Sequence, residues 1–112
     1  MKKILFVDDS RDTADALRDS ASELGHVGAV AYSGASAVNS AASETFDVIF
    51  LDLMLPDADG LDVCSEIRKG RSKSARIVAL TGSNELIDRT QQCIDVWVLK
   101  PADMDELERL LS

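Results

Sequence analysis

The sequence predicts an α/β fold in which a parallel sheet carries helices on both faces, a doubly wound three-layer sandwich of five strand–helix units. Three observations predict it. Short apolar runs alternate along the chain with longer segments of helical period. The runs at 48–51 (VIFL) and 77–80 (IVAL) are continuously hydrophobic, as strands buried on both faces must be. The chain has 112 residues, 46% of them apolar and only 4% aromatic, which suits one domain with an aliphatic core.

Each element follows in order. KILFV at 3–7 is a buried strand. The helix over 10–25 recurs on Ala14, Leu17, Ala21 and Leu24, with Ser10 as its N-cap and Gly25 as its stop. A weaker strand over 26–32 precedes a small-residue helix over 33–44 that turns Ala37, Val38, Ala41 and Ala42 inward. DVIFLD at 47–52 is the third strand. The loop after it leads into a helix over 60–69, with Asp57 and Asp59 shaping the loop and capping that helix. A fourth strand over 75–81, a helix over 84–93, a fifth strand over 95–100 and a closing helix with Met104, Leu107, Leu110 and Leu111 on one side complete the pattern. No repeat or linker interrupts it, so a single domain over 1–112 is expected.

The net charge of -8, from 20 acidic and 12 basic residues, argues against direct binding to nucleic acid or anionic membrane. It leaves open that some carboxylates gather around a cation. Cys64 and Cys93 stand in no close-spaced motif and read as reduced thiols of a cytoplasmic protein, each a small apolar side chain, with a disulfide between them as the less favoured alternative. No segment approaches the length of a membrane span, and the apolar run at the N-terminus is too short for a signal peptide.

Five polar residues fall at the carboxyl ends of predicted strands: Asp8 and Asp9 after the first, Asp52 on the third, Thr81 on the fourth and Lys100 on the fifth. In a parallel sheet those ends share one edge, where ligands of open α/β sheets bind. Carboxylates brought close together repel unless a cation joins them, and oxygen donors of this kind suit Mg2+ (or Mn2+). A cation, an ammonium and a hydroxyl converging on one carboxylate describe a site that handles a phosphoryl group.

The chain resembles the receiver domains of two-component response regulators over essentially its whole length. VDDS (7–10), DLMLPDADG (52–60), ALTGS (79–83) and LKPA (99–102) carry the resemblance. It implies a flavodoxin-like sheet of order 2-1-3-4-5, which draws Asp8, Asp9 and Asp52 around one opening. It implies that Asp52 is the phosphoacceptor for a sensor histidine kinase or histidine phosphotransfer protein. Asp9 and Asp52 would ligate Mg2+ directly, Asp8 largely through water, and the Met54 backbone carbonyl would complete the protein ligands. Thr81 and Lys100 would bind the phosphoryl oxygens, with a cis bond at Pro101 aiming the lysine. Trp97 occupies the switch-aromatic position, although a core tryptophan reads equally well there. The output would pass to a downstream domain or protein, or to a homodimer through the face built by the fourth helix, fifth strand and last helix.

Taken singly, each residue has a plainer reading. Asp8 and Asp9 fit a helix N-terminus, Thr81 a helix cap, and Lys100 a solvated surface. Their joint placement favours function. Departures from the family pattern concentrate near the output face: Lys100 follows Thr81 by only 19 positions, and QQCIDVW replaces the usual small-residue turn. A pseudo-receiver, acting as a phosphorylation-independent interaction module, is the alternative. An aspartyl phosphatase of the haloacid-dehalogenase kind needs a second aspartate where Met54 stands.

Overall fold

Apolar side chains on both faces make strands of the five runs, buried in the middle of the sheet and half-buried at its two edges. In the computed structural model, which describes residues 1–83, 87, 92–100 and 102–111, they are β1 (Lys3–Val7), β2 (Val27–Ala31), β3 (Val48–Asp52), β4 (Arg76–Thr81) and β5 (Val96–Leu99). They pair in parallel in the order β2-β1-β3-β4-β5, as the resemblance implies. Register locks Val7 opposite Leu51, Asp52 opposite Leu80 and Thr81 opposite Leu99, so the polar strand ends come level with one another.

Among the described residues four helices cover the sheet: α1 (Arg11–Glu23), α2 (Gly34–Ser43), α3 (Gly60–Ile67) and α4 (Met104–Leu111). The helix expected over 84–93 falls largely outside the described residues, and so does Pro101. Alternation along the strands divides the core in two. Leu5, Ile49, Leu51, Ile77 and Ala79 point towards α2 and α3, while Ile4, Phe6, Phe50, Val78 and Leu80 point towards α1 and α4. Phe6 and Phe50 stack on the second face with ring centroids 5.1 Å apart.

Local signals act as the sequence predicts at most helix ends. The Ser10 hydroxyl accepts from the Thr13 N–H, and Gly25 closes α1 at φ +90°, a conformation that favours glycine. Asp59 caps α3 by accepting from the Leu61 N–H at 2.8 Å. Asp57 does not cap that helix; its carboxylate reaches α2 instead. Ala42 is exposed, and Met104 is 38% exposed on the first turn of α4, so both helical stripes are narrower than their spacing suggests.

The cysteines require a larger correction. Cys64 and Cys93 are not separate thiols but a disulfide, with Cα atoms 6.2 Å apart. The pairing is tertiary: Cys64 is fully buried on the inner side of α3, and Cys93 lies in the turn before β5, 29 residues later. Arg68 reinforces the junction. Its guanidinium donates to the carbonyls of Lys73, Ala75 and Cys93 and to the Asp95 carboxylate, which also accepts from the Ile77 N–H. The turn that lacks small residues is thus held by a covalent bond and an arginine. No helix among the described residues is long and apolar enough to cross a membrane.

Candidate functional site

The β3 strand is buried along its whole length and ends on Asp52, which is only 2% exposed. A carboxylate at that depth needs donors. One oxygen accepts from the Met54 N–H at 2.9 Å, and the other accepts from the Lys100 ammonium at 2.9 Å. Asp8, equally buried at the end of β1, repeats the arrangement: one oxygen accepts from the Ser10 N–H at 2.9 Å, the other from Lys100 at 3.3 Å. Asp9 stands beside them, exposed to solvent.

Lys100 bridges the two buried carboxylates from the far side of the sheet. Its burial works against its charge, but the hydrogen bond and charge of Asp52, followed by those of Asp8, outweigh burial and hold the ammonium above the ordinary lysine pKa. The backbone sets its position: the Lys100 N–H donates to the Thr81 carbonyl at 2.7 Å.

Ligand oxygens of Asp8, Asp9 and Asp52 all lie within 4.8 Å of one another. Three carboxylates set against one ammonium leave a local surplus of two negative charges. A hard divalent cation matches both that surplus and the all-oxygen donor set, so the residues present fit Mg2+. An open cleft of about 590 Å3, lined by Asp9, Met54, Pro56 and Asp57 among others, leads to this edge from the β3–α3 loop.

The five strand-end residues of the sequence analysis therefore occupy one edge, though not all make mutual contact. Asp8, Asp9, Asp52 and Lys100 form the cluster. The Thr81 side chain is fully buried and turned towards Ser83, donating to its carbonyl at 3.1 Å and accepting from its N–H at 3.2 Å. Trp97 pairs in register with Ala79 and packs, half-buried, against the core beneath α2 and α3, on the opposite face from Val96 and Val98. Met54 is 65% exposed, so its place in the site belongs to its backbone. Sequence reasoning missed the reach of Asp57: its carboxylate accepts from the N–H groups of Gly34 and Ala35, at 2.9 and 3.2 Å. Those bonds hold its carboxyl below the usual aspartate range.

Comparison with known proteins agrees with the fold. The family described as the response regulator receiver domain matches residues 4–112. The response regulator ArlR of Staphylococcus saprophyticus is 31% identical over 110 residues, covering 96% of this chain and 49% of ArlR. The chain thus spans about half the length of that curated relative. A CheY-like receiver domain from Methylobacillus flagellatus superposes with a TM-score of 0.91 at 26% identity, covering 99% of this chain and 96% of that one. TrrA from Thermotoga maritima, solved with Mg(2+)-BeF, gives a TM-score of 0.87 at 33% identity over 99% of this chain and 96% of that one. TrrA has also been solved in complex with the histidine kinase ThkA, at 34% identity, a TM-score of 0.84 and the same coverage of both chains.

Proposed function

We propose, from the premise that this chain belongs to the response-regulator receiver family, that Asp52 accepts a phosphoryl group from a histidine kinase and that the molecule signals through the change that follows. One observation carries the assignment of Asp52: a buried carboxylate at the end of a rigid strand, 2.9 Å from an ammonium and beside two further carboxylates that suit a divalent cation.

In the transfer, an Asp52 oxygen attacks the phosphorus of a phosphohistidine. An O–P bond forms as the P–N bond breaks, and the leaving imidazole nitrogen keeps the bonding pair and takes up a proton. Asp9 and Asp52 would hold Mg2+ directly, Asp8 would hold it through water, and the Met54 carbonyl would complete the protein ligands. When bound, the ion would supply positive charge to the phosphoryl oxygens. Lys100 offers its ammonium to one of those oxygens once Asp52 no longer carries the full carboxylate charge. The Met54 N–H is already directed at Asp52 and is available to a second. Thr81 leaves Ser83 to donate to a third. That movement changes the packing beside β5, where Trp97 serves as the switch aromatic. The phosphoryl group biases a two-state equilibrium rather than creating a new fold.

The chain acts once per phosphoryl group and is not a turnover enzyme. Its work in the cytoplasm, where a kinase has ATP, as a receiver over 1–112 follows from the same reading, and so does an output domain, protein or homodimer partner. TrrA's complex with ThkA supports the kinase as donor, and the TrrA structure with Mg(2+)-BeF supports the metal.

The test is intact mass after incubation with acetyl phosphate, with and without Mg2+, beside Asp52→Asn. A single Mg2+-dependent phosphoryl adduct, absent from the variant, is expected. If wild type and Asp52→Asn behave alike, the acceptor is not Asp52.

A further inference from the structure

We infer that Asp57 is a positioning residue for the phosphoacceptor loop, acting by fastening that loop to the N-terminus of α2. The inference rests on the reading of Asp52 as acceptor. It concerns a residue that touches neither Asp52 nor Lys100.

The loop over 53–59 leaves β3 directly after Asp52 and has two duties at the site. Met54 supplies the N–H that holds one Asp52 oxygen, and its carbonyl lies on the same peptide run. Between Asp52 and α3 the loop has little regular structure, an isolated bridge between Met54 and Asp59 being the exception. Such a segment drifts unless something outside it holds it.

Leu55, buried in the core, and Leu53, bonded through its N–H to the Leu80 carbonyl, hold the first half of the loop, and Asp57 holds the second half to α2. The two Asp57 oxygens take the N–H groups of Gly34 and Ala35, residues more than twenty positions away in sequence. A helix N-terminus has four N–H groups with no partner inside the helix, and its dipole favours a negative charge there. α2 already has its own cap, the Ser33 hydroxyl, which accepts from the Ser36 N–H at 3.1 Å. The Asp57 carboxylate therefore adds something other than a local cap. It joins the acceptor loop to a helix on the sheet's flank.

Packing makes the same junction stiff. A Cβ added at Gly34 would stand 2.9 Å from the Val63 Cγ2 and 3.0 Å from the Ala58 Cβ, so loop, α2 and α3 touch closely at this point, at the edge of an open cleft of about 420 Å3 between the two helices. The loop cannot slide along α2 without breaking two hydrogen bonds and opening this contact. Groups that orient metal ligands from behind commonly change metal affinity by 10- to 100-fold when removed.

The experiment compares Asp57→Ala with Ser33→Ala, using calorimetric titration of the purified protein with Mg2+ and thermal unfolding of each. Both substitutions remove a partner from the α2 N-terminus, and both are expected to lower the melting temperature. Only Asp57→Ala cuts the tie to the loop, so it alone is expected to weaken Mg2+ binding, by about tenfold. Equal Mg2+ affinity in wild type and Asp57→Ala, or an equal loss in both variants, would overturn the positioning role. Phosphorylation by acetyl phosphate, followed in parallel, separates the two claims. A wild type that takes the group beside an unaffected Asp57→Ala overturns only the positioning role. A wild type that takes none overturns the reading of Asp52 on which it rests.

Discussion

Reduction of the Cys64–Cys93 bond provides the sharpest quantitative test of the fold. The bond closes a loop across a sequence separation of 29 residues that contains all of β4 and Thr81. In the chain-entropy treatment, a cross-link over that separation restricts the unfolded ensemble by about 12 cal/mol/K, or about 3.5 kcal/mol at 25 °C. At about 2.1 cal/mol/K of unfolding entropy per residue, a chain of 112 residues shifts by about 4 °C for each kcal/mol. Reduction is therefore expected to lower the melting temperature by about 15 °C. The Arg68 bonds to the Cys93 carbonyl and to Asp95 do not depend on the sulfurs, so the comparison isolates the cross-link. Thermal unfolding followed by circular dichroism, with and without a dithiol reductant, measures it. A Cys64→Ser, Cys93→Ser double variant, which should ignore the reductant, is the control. Alkylation of the denatured protein before reduction should add no mass. Two alkyl groups at that stage, or melting curves that coincide, would refute the cross-link or its assigned role.

Two further outcomes are expected. At Gly60 an added Cβ would stand 2.6 Å from the Leu53 Cα and 3.1 Å from its carbonyl oxygen, so Gly60→Ala should cost about 1–3 kcal/mol in urea unfolding. A cost near zero would mean that the backbone there yields freely. The Asp57 carboxyl is held below its ordinary value in the folded state, so its contribution to stability is present above the unfolded-state value and is lost as pH falls through the folded one. The stability gap between wild type and Asp57→Ala should therefore be widest near neutrality and close on acidification. A gap that widens in acid would contradict the sign.

How legible all this was in the sequence varied with how local each cause is. The strands were legible because a sheet covered on both faces leaves an unbroken apolar run such as 48–51, and the Ser10 cap and Gly25 stop act within a few residues. The acidic cluster was legible because a polar residue closing such a run has few structural reasons to be there. The disulfide was not, since neither cysteine's neighbours hint that α3 and the turn before β5 lie 6.2 Å apart at their Cα atoms. Asp57 was misassigned for the same reason: proximity in sequence favoured α3, and the fold set α2 closer. Thr81 shows the limit from another side. Its strand end was predicted, but the turn of its hydroxyl towards Ser83 depends on the backbone that follows β4.

The bridge made by Lys100 also bears on how the molecule is born. The ammonium lies 48 residues beyond Asp52 and 92 beyond Asp8 in the chain it neutralises. On a ribosome, synthesis delivers β1 and β3, with Asp8 and Asp52 at their ends, and then β4, all before β5. Any sheet that forms early must hold Asp8 and Asp52 side by side without their counter-charge, and like charges at that distance oppose its closure. The arrival of the edge strand removes that opposition at the moment it completes the hydrogen-bonded ladder. An incomplete nascent chain therefore lacks both the last strand and the charge balance of the site. On the reading of Asp52 as phosphoacceptor, a chain still lacking β5 holds its acceptor without the ammonium that bridges it.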